Sequence, residues 1–254
     1  MLGPESNSEF QVFPDNAELT HSAADYFLHH ASRAIQTGGQ VTIALAGGST
    51  PKALYSLLAT PPYQEQLDWG KVHMFWGDER HVPPDHQESN FRMAQHAMLS
   101  RLPIPATQIH RMEGDRSDAQ EAADAYESLL QKHFKLAPPH IPKFDLIFLG
   151  LGPDGHTASL FPGTTAVHEH ERWIAAPWVE KFHTYRITMT PVLLNQASHI
   201  AFLVSGQDKS TALHAVLEGP YQPDKFPAQV IRPVHGKITW FLDKAAAHNL
   251  HTRS

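Results

Sequence analysis

The 254-residue sequence contains no cysteine. Disulfide frameworks and thiolate metal centres are excluded, and the composition leans towards a reducing compartment, so a cytoplasmic protein is expected. Long apolar runs are also missing. No stretch approaches the roughly 20 apolar residues of a membrane span, and no basic start followed by an apolar core marks a secretory leader. Charge is sparse, with 18% Asp, Glu, Lys and Arg and a formal net charge of −6. No run of Lys or Arg exceeds two residues, which argues against a nucleic-acid surface and leaves any anionic ligand to a local pocket. Histidine is abundant, at 19 residues. Pairs such as His29–His30 and His168/His170 nevertheless miss the i, i+4 spacing that sets two ligands on one helix face, so no metal site is expected.

At this length one domain can bury a full core without staples. It is expected over residues 16–254, behind a loose lead-in (1–15) whose start, Met1–Gln11, lacks periodicity. The stretch that organises the rest is Phe144–Pro162, FDLIFLGLGPDGHTASLFP. Its apolar opening to Leu149 suits a strand buried on both faces of a parallel sheet. Gly150, Gly152 and Gly155 then break regular structure, and the turn displays Asp154 and His156 where open α/β sheets bind and transform ligands. Thr157 or Ser159 is expected to start a helix.

Three other apolar runs end in similar turns. Val41–Ala46 leads into Gly47-Gly48-Ser49-Thr50-Pro51 and an expected helix over Lys52–Ala59. Such a turn offers backbone N–H groups and a positive helix end to a phosphate, although Ser and Thr also make plain N-caps. Val72–Trp76 ends in Gly77-Asp78-Glu79-Arg80-His81, where Arg80 suits phosphate or carboxylate; the other reading is a solvated charged turn. His199–Ser205 ends in Ser205-Gly206-Gln207-Asp208-Lys209, and an ammonium at that helix start is unfavourable unless an anion sits there or the side chain reaches solvent.

Helical spacing marks Asn16–Thr37, Ser89–Leu102, Ser117–Phe134, Thr190–Gln196 and Lys244–Leu250. Strands are expected at Ile109–Met112, Trp173–Val179, Tyr185–Met189 and Ile238–Leu242, with a stiff Pro138-Pro139 approach to the central strand. Apolar strands alternating with helices predict an α/β fold with a doubly wound, mostly parallel sheet and helices on both faces. The five tryptophans are assigned to packing.

GGSTP, WGDER, DGHTASLFP and SGQDK, in this order, resemble the 6-phosphogluconolactonases of the glucosamine-6-phosphate isomerase/deaminase superfamily, over Glu18 to Ala247. The resemblance implies hydrolysis of 6-phospho-D-glucono-1,5-lactone, a small sugar-phosphate lactone, without a metal or organic cofactor. It makes His156 the general base, Gly47, Gly48, Ser49 and Thr50 the phosphate loop, and Arg80 and Lys209 the basic residues for phosphate and the developing oxyanion. Asp154 is assigned to orienting His156 and Asp78 to sugar hydroxyls. The oligomeric state is left open, with a monomer compatible. In an amino-sugar-phosphate deaminase the DGH turn continues to an acidic residue before the proline; here Phe161 stands there. A non-enzymatic sugar-phosphate sensor lacks its DNA-binding module here, and a serine hydrolase lacks its G-x-S-x-G elbow.

Overall fold

The computed structural model describes residues 8–136 and 139–251. Residues 1–7 of the expected lead-in and Pro138 of the expected stiff approach lie outside them.

Short apolar runs fit a sheet interior only when both faces are covered. Every residue of β2 (Val41–Leu45) and β5 (Leu146–Leu149) is buried. β3 (Val72–Trp76), β9 (His199–Val204) and β10 (Lys237–Asp243) are buried apart from a first or second residue. With β1 (Ser8–Phe13) they form a six-stranded sheet in the order β1-β10-β9-β5-β2-β3, parallel at every pairing. The expected lead-in is corrected by β1, which pairs from Ser8 with Ile238 to Phe13 with Asp243. None of its residues is fully buried, so it is held by backbone pairing and left no hydrophobic pattern to find.

From β2 the chain steps outward to β3, returns across β2 to β5, and then steps the other way through β9 and β10. The winding reverses between β2 and β5, which opens a crevice beyond their C-terminal ends.

α1 (Asn16–Gly38) starts where the Asp15 carboxylate accepts from the N–H groups of Ala17 and Glu18, and stops at Gly39 in the left-handed region. Its buried stripe includes Leu19, Ala23, Phe27 and Ala31, and it packs on α2 (Ser49–Leu58) and the sheet, with Phe27 stacked against Trp69 and Phe148. α4 (Ala119–Phe134) is capped by Asp118, and its Tyr126 hydroxyl accepts from the Trp76 N–H at 3.0 Å. α5 (Pro191–Leu194) begins with proline behind Thr190, as its sequence predicts. α6 (Ser210–Leu217) follows a 3-10 turn over Gln207–Lys209.

Several expectations change. The helix after β2 begins at Ser49, and α3 (Asn90–Ala94) passes into a π turn over Gln95–Leu99. Ile109–Met112 contributes only an isolated bridge from Ile109 to Met74, and the last helix shrinks to a 3-10 segment, Ala246–Asn249. No helix starts at Thr157 or Ser159. Thr157 bridges to Leu160 around Ala158, whose φ of 47° is incompatible with a right-handed helix. The strands near residues 174–189 lie outside the parallel sheet. β4 (Asp78–Arg80), β6 (Ile174–Ala175) and β8 (Thr184–Met189) form an antiparallel sheet in the order β4-β8-β6, and β7 (Trp178–Val179) pairs with the start of β8. Four tryptophans are buried, but Trp178 is exposed. Among the described residues no helix is long and apolar enough to cross a membrane.

Candidate active site

The turn after β5 closes on itself through Gly155 N–H to Gly152 O (3.0 Å) and Gly152 N–H to His156 O (2.8 Å). The turn sets His156 Nδ1 in a hydrogen bond to Asp154 Oδ1, which also accepts from the His156 N–H at 3.3 Å. Gly152 leaves the room: a Cβ there would meet His156 Nδ1 at 2.0 Å. The imidazole stacks on Phe161, with centroids 4.1 Å apart. With Nδ1 committed to Asp154, Nε2 is the ring nitrogen left to face a ligand. Gly150, Gly152 and Gly155 share the spacing of a dinucleotide-binding turn, yet the segment opens no helix, so the helix-end anion site that this spacing serves is not built here.

Lys181 was not foreseen. Its ammonium donates to Asp154 Oδ2 at 2.9 Å from the β7–β8 connection. Burial would raise the Asp154 carboxyl, but the hydrogen bond and charge of His156, with the Lys181 bond, outweigh it and hold the group well below the usual carboxylate range. Phe182 follows and meets Phe161 edge-on at 5.6 Å, so the hairpin tip leans on the Asp154–His156 turn.

At the neighbouring β2 exit, Gly48 with φ 104° is the N-cap of α2, and no side chain caps that end. The first N–H groups of the helix are therefore left for a ligand, beside exposed Gly48 and Ser49 and half-buried Thr50. Gly47 is required by packing, since a Cβ would fall 2.1 Å from Asn90 Oδ1.

The β3 exit is not a solvated turn. Glu79 is 2% exposed and accepts from the N–H groups of Arg80, Asn90 and Phe91 and from Ser89 Oγ, which anchors the start of α3. Asp78, assigned to sugar hydroxyls from the sequence, is 8% exposed and engaged inside the protein. Its Oδ2 accepts from Ser159 Oγ at 2.6 Å, and its Oδ1 and backbone carbonyl accept from Asn90 Nδ2 at 3.2 and 2.9 Å. Ser159 N–H in turn donates to Thr188 Oγ1 on β8. Asn90, Asp78 and Ser159, all buried, thus link the Gly47–Thr50 loop to the Asp154–His156 turn.

Arg80 donates from Nη1 to the Glu88 carbonyl and pairs in register with Arg186 on β8. Arg186 is 8% exposed and lies over the Phe182 ring at 5.1 Å. Burial, and then the Arg80 charge, lower its pKa. Among the described residues it has no carboxylate within ion-pair distance, and Asp78, Glu88 and Glu79 offset the Arg80 charge only from further away. Lys209, at the β9 exit beside the β5 exit, pairs with Asp208 at 2.9 Å, which offsets the ammonium at that helix start. Arg186, Lys181 and Asn90 carry no local motif; only the pairing of β4 with β8 and the packing of α3 bring them in.

A sequence model described as glucosamine-6-phosphate isomerases/6-phosphogluconolactonase matches residues 14–240. The chain belongs to this family. Within it, the 6-phosphogluconolactonase of Synechocystis sp. is 44% identical over 219 residues, 86% of this chain and 88% of the relative. A solved structure of 6-phosphogluconolactonase from Trypanosoma brucei superposes with a TM-score of 0.86 at 29% identity, covering 96% of this chain and 98% of that one. A monomeric glucosamine-6-phosphate deaminase superposes with a TM-score of 0.81 at 20% identity, covering 95% and 100%. That likeness is one of fold. The description of the family names two chemistries on one scaffold.

Proposed function

We propose that this chain hydrolyses 6-phospho-D-glucono-1,5-lactone to 6-phosphogluconate, the lactone-opening step of the oxidative pentose phosphate pathway, with His156 as general base. The observation that carries the reading is the Asp154–His156 pair, stacked on Phe161 at the switch point and flanked by an uncapped helix start. The N–H groups at Ser49 and Thr50, with Arg80, Arg186 and Lys209, hold the phosphate. His156 Nε2 takes a proton from water as the oxygen attacks the lactone carbonyl. The tetrahedral oxyanion collapses, the ring C–O bond breaks, and the proton passes from His156 to the departing ring oxygen. Asp154 keeps the imidazole in the tautomer this requires, and Lys181 holds Asp154. A δ-lactone is an activated ester, so the mechanism uses no metal or organic cofactor. Asp78 acts as a positioning residue beneath the site. The cytoplasmic location belongs to the same proposal and rests on composition.

The test is lactone disappearance, with substrate made in place by a dehydrogenase and spontaneous opening subtracted. His156→Ala is expected to lower kcat by about 10²–10⁴-fold. Full turnover in that variant overturns the base assignment. No acceleration by the native protein, or deamination of glucosamine 6-phosphate instead, overturns the lactonase reading.

A further inference from the structure

At the other end of β3 from the Gly77 turn, three histidines from separate parts of the chain converge. His73 is the second residue of β3. His110 is fixed beside it by its backbone N–H, which donates to the Met74 carbonyl at 2.8 Å. His133 comes from the last turn of α4. We propose that His73, His110 and His133 bind one divalent first-row transition-metal ion, with Zn(II) the best match, through three imidazole nitrogens and a solvent molecule.

Each residue offers a nitrogen within 4.8 Å of the others. His73 Nδ1 and His110 Nε2 are 3.1 Å apart. Two nitrogens bound to tetrahedral zinc at about 2.0–2.1 Å lie about 3.3 Å from each other, so this pair needs little movement to share an ion. His133 Nε2 is buried and has no hydrogen-bond partner. Such orphaned atoms are uncommon in folded proteins, and a metal gives this one a partner. The rings are held by packing: His110 stacks on Phe75 at 4.4 Å, and His133 stands edge-on to Phe75 and Phe134, each at 5.0 Å. Burial lowers the pKa of all three, and in His110, brought to about 4, the neighbouring imidazoles add to it. The rings are therefore neutral at neutral pH, each with one N–H and one lone-pair nitrogen; His73 Nδ1 and His110 Nε2 share a hydrogen bond, so one of the two rings changes tautomer when both bind the ion. An all-imidazole donor set favours zinc, nickel and copper over magnesium and calcium.

The site shares no residue with the catalytic turn. It joins the end of α4 and the segment around His110 to β3, an edge strand whose outer side carries, among the described residues, only the Met74–Ile109 bridge. The ion therefore acts on stability and leaves lactone hydrolysis unchanged.

The experiment uses the full chain, stripped with a chelator and titrated with zinc chloride or cobalt chloride by calorimetry, with cobalt absorption and thermal unfolding as further readouts. One equivalent is expected to bind with the visible bands of tetrahedral cobalt. A hundred-fold excess over Kd is expected to raise Tm by about 5–10 °C. His110→Gln and His133→Gln should each weaken binding at least about 10–100-fold, the loss that follows even from removing an outer partner of a metal ligand. Hydrolysis should survive the chelator, and magnesium should not shift Tm. X-ray absorption on the zinc-loaded native protein reads the three-nitrogen shell directly, so the outcome does not hang on a variant that folds badly. A second group, His214, Glu218 and His251, also lies within 4.8 Å. Absence of binding, a shell without three imidazoles, or binding lost in His251→Asn but kept in His110→Gln and His133→Gln overturns the proposal.

Discussion

A Cβ at position 152 would sit 2.0 Å from His156 Nδ1 and 2.7 Å from Asp154 Oδ1. Gly152→Ala must therefore turn one of that pair aside. We expect kcat to fall by about 10²-fold or more, as misplaced catalytic groups do, while far-UV circular dichroism stays native. Lys181 acts one step further out. Lys181→Met should lower kcat about tenfold by loosening Asp154, with little change in KM, and Lys181→Arg should restore most of the loss. An unchanged kcat in Lys181→Met would remove its positioning role. The Asp154–His156 turn was legible because its chemistry is local: an acid and an imidazole two residues apart after a buried run. Lys181 and Arg186 were not, because nothing near them in the chain distinguishes them from solvated cations. The three clustered histidines escaped for the same reason, since a test of i, i+4 spacing sees one helix and these come from three segments.

Among elements, the two sheets meet at the β3 exit. β4 leaves the parallel sheet after Gly77 and pairs with β8, so the Asp154–His156 turn rests on Thr188 through Ser159 and on Asp78 below. The parallel sheet was legible from apolar runs and glycine turns. The antiparallel one depends on pairing Asp78 with Thr188, far away in sequence, and left only a pattern of alternation. Ala158 shows the same limit: its left-handed φ in the tight turn over Thr157–Leu160 stands where a helix starting at Thr157 or Ser159 is expected from the sequence. Asn90 ties the exits together. Asn90→Ala removes both Nδ2 bonds to Asp78 and opens space beside Gly47, so a loss of about 1–3 kcal/mol in chemical denaturation is expected. Because the anion loop loosens first, KM should rise by a larger factor than kcat falls; equal kinetics to the native enzyme would disconnect the link from the site.

For the molecule as a whole, stability should depend on pH through histidines kept neutral by the fold. Burial, then the nearby His199, lower His30 from 6.5 to about 4, and burial lowers His199 as well. The unfolded chain takes up these protons first as pH drops, so their contribution is complete above about pH 6.5 and is lost between there and about pH 4. Urea midpoints measured from pH 7 to pH 4.5 should fall, and His30→Gln should flatten the slope. A slope unchanged in that variant would assign the effect to other groups. The edge pairing of β1 with β10 carries a further consequence, for synthesis. Ser8 pairs with Ile238, so β1 leaves the ribosome roughly 10–50 s before its partner at about 5–20 residues per second. During that interval Phe10 and Val12, still 39% and 40% exposed in the finished fold, belong to an unpaired strand. The sheet's outer edge is therefore a late event on the folding pathway, and β1 stays open to chaperones and to mispairing until β10 is made.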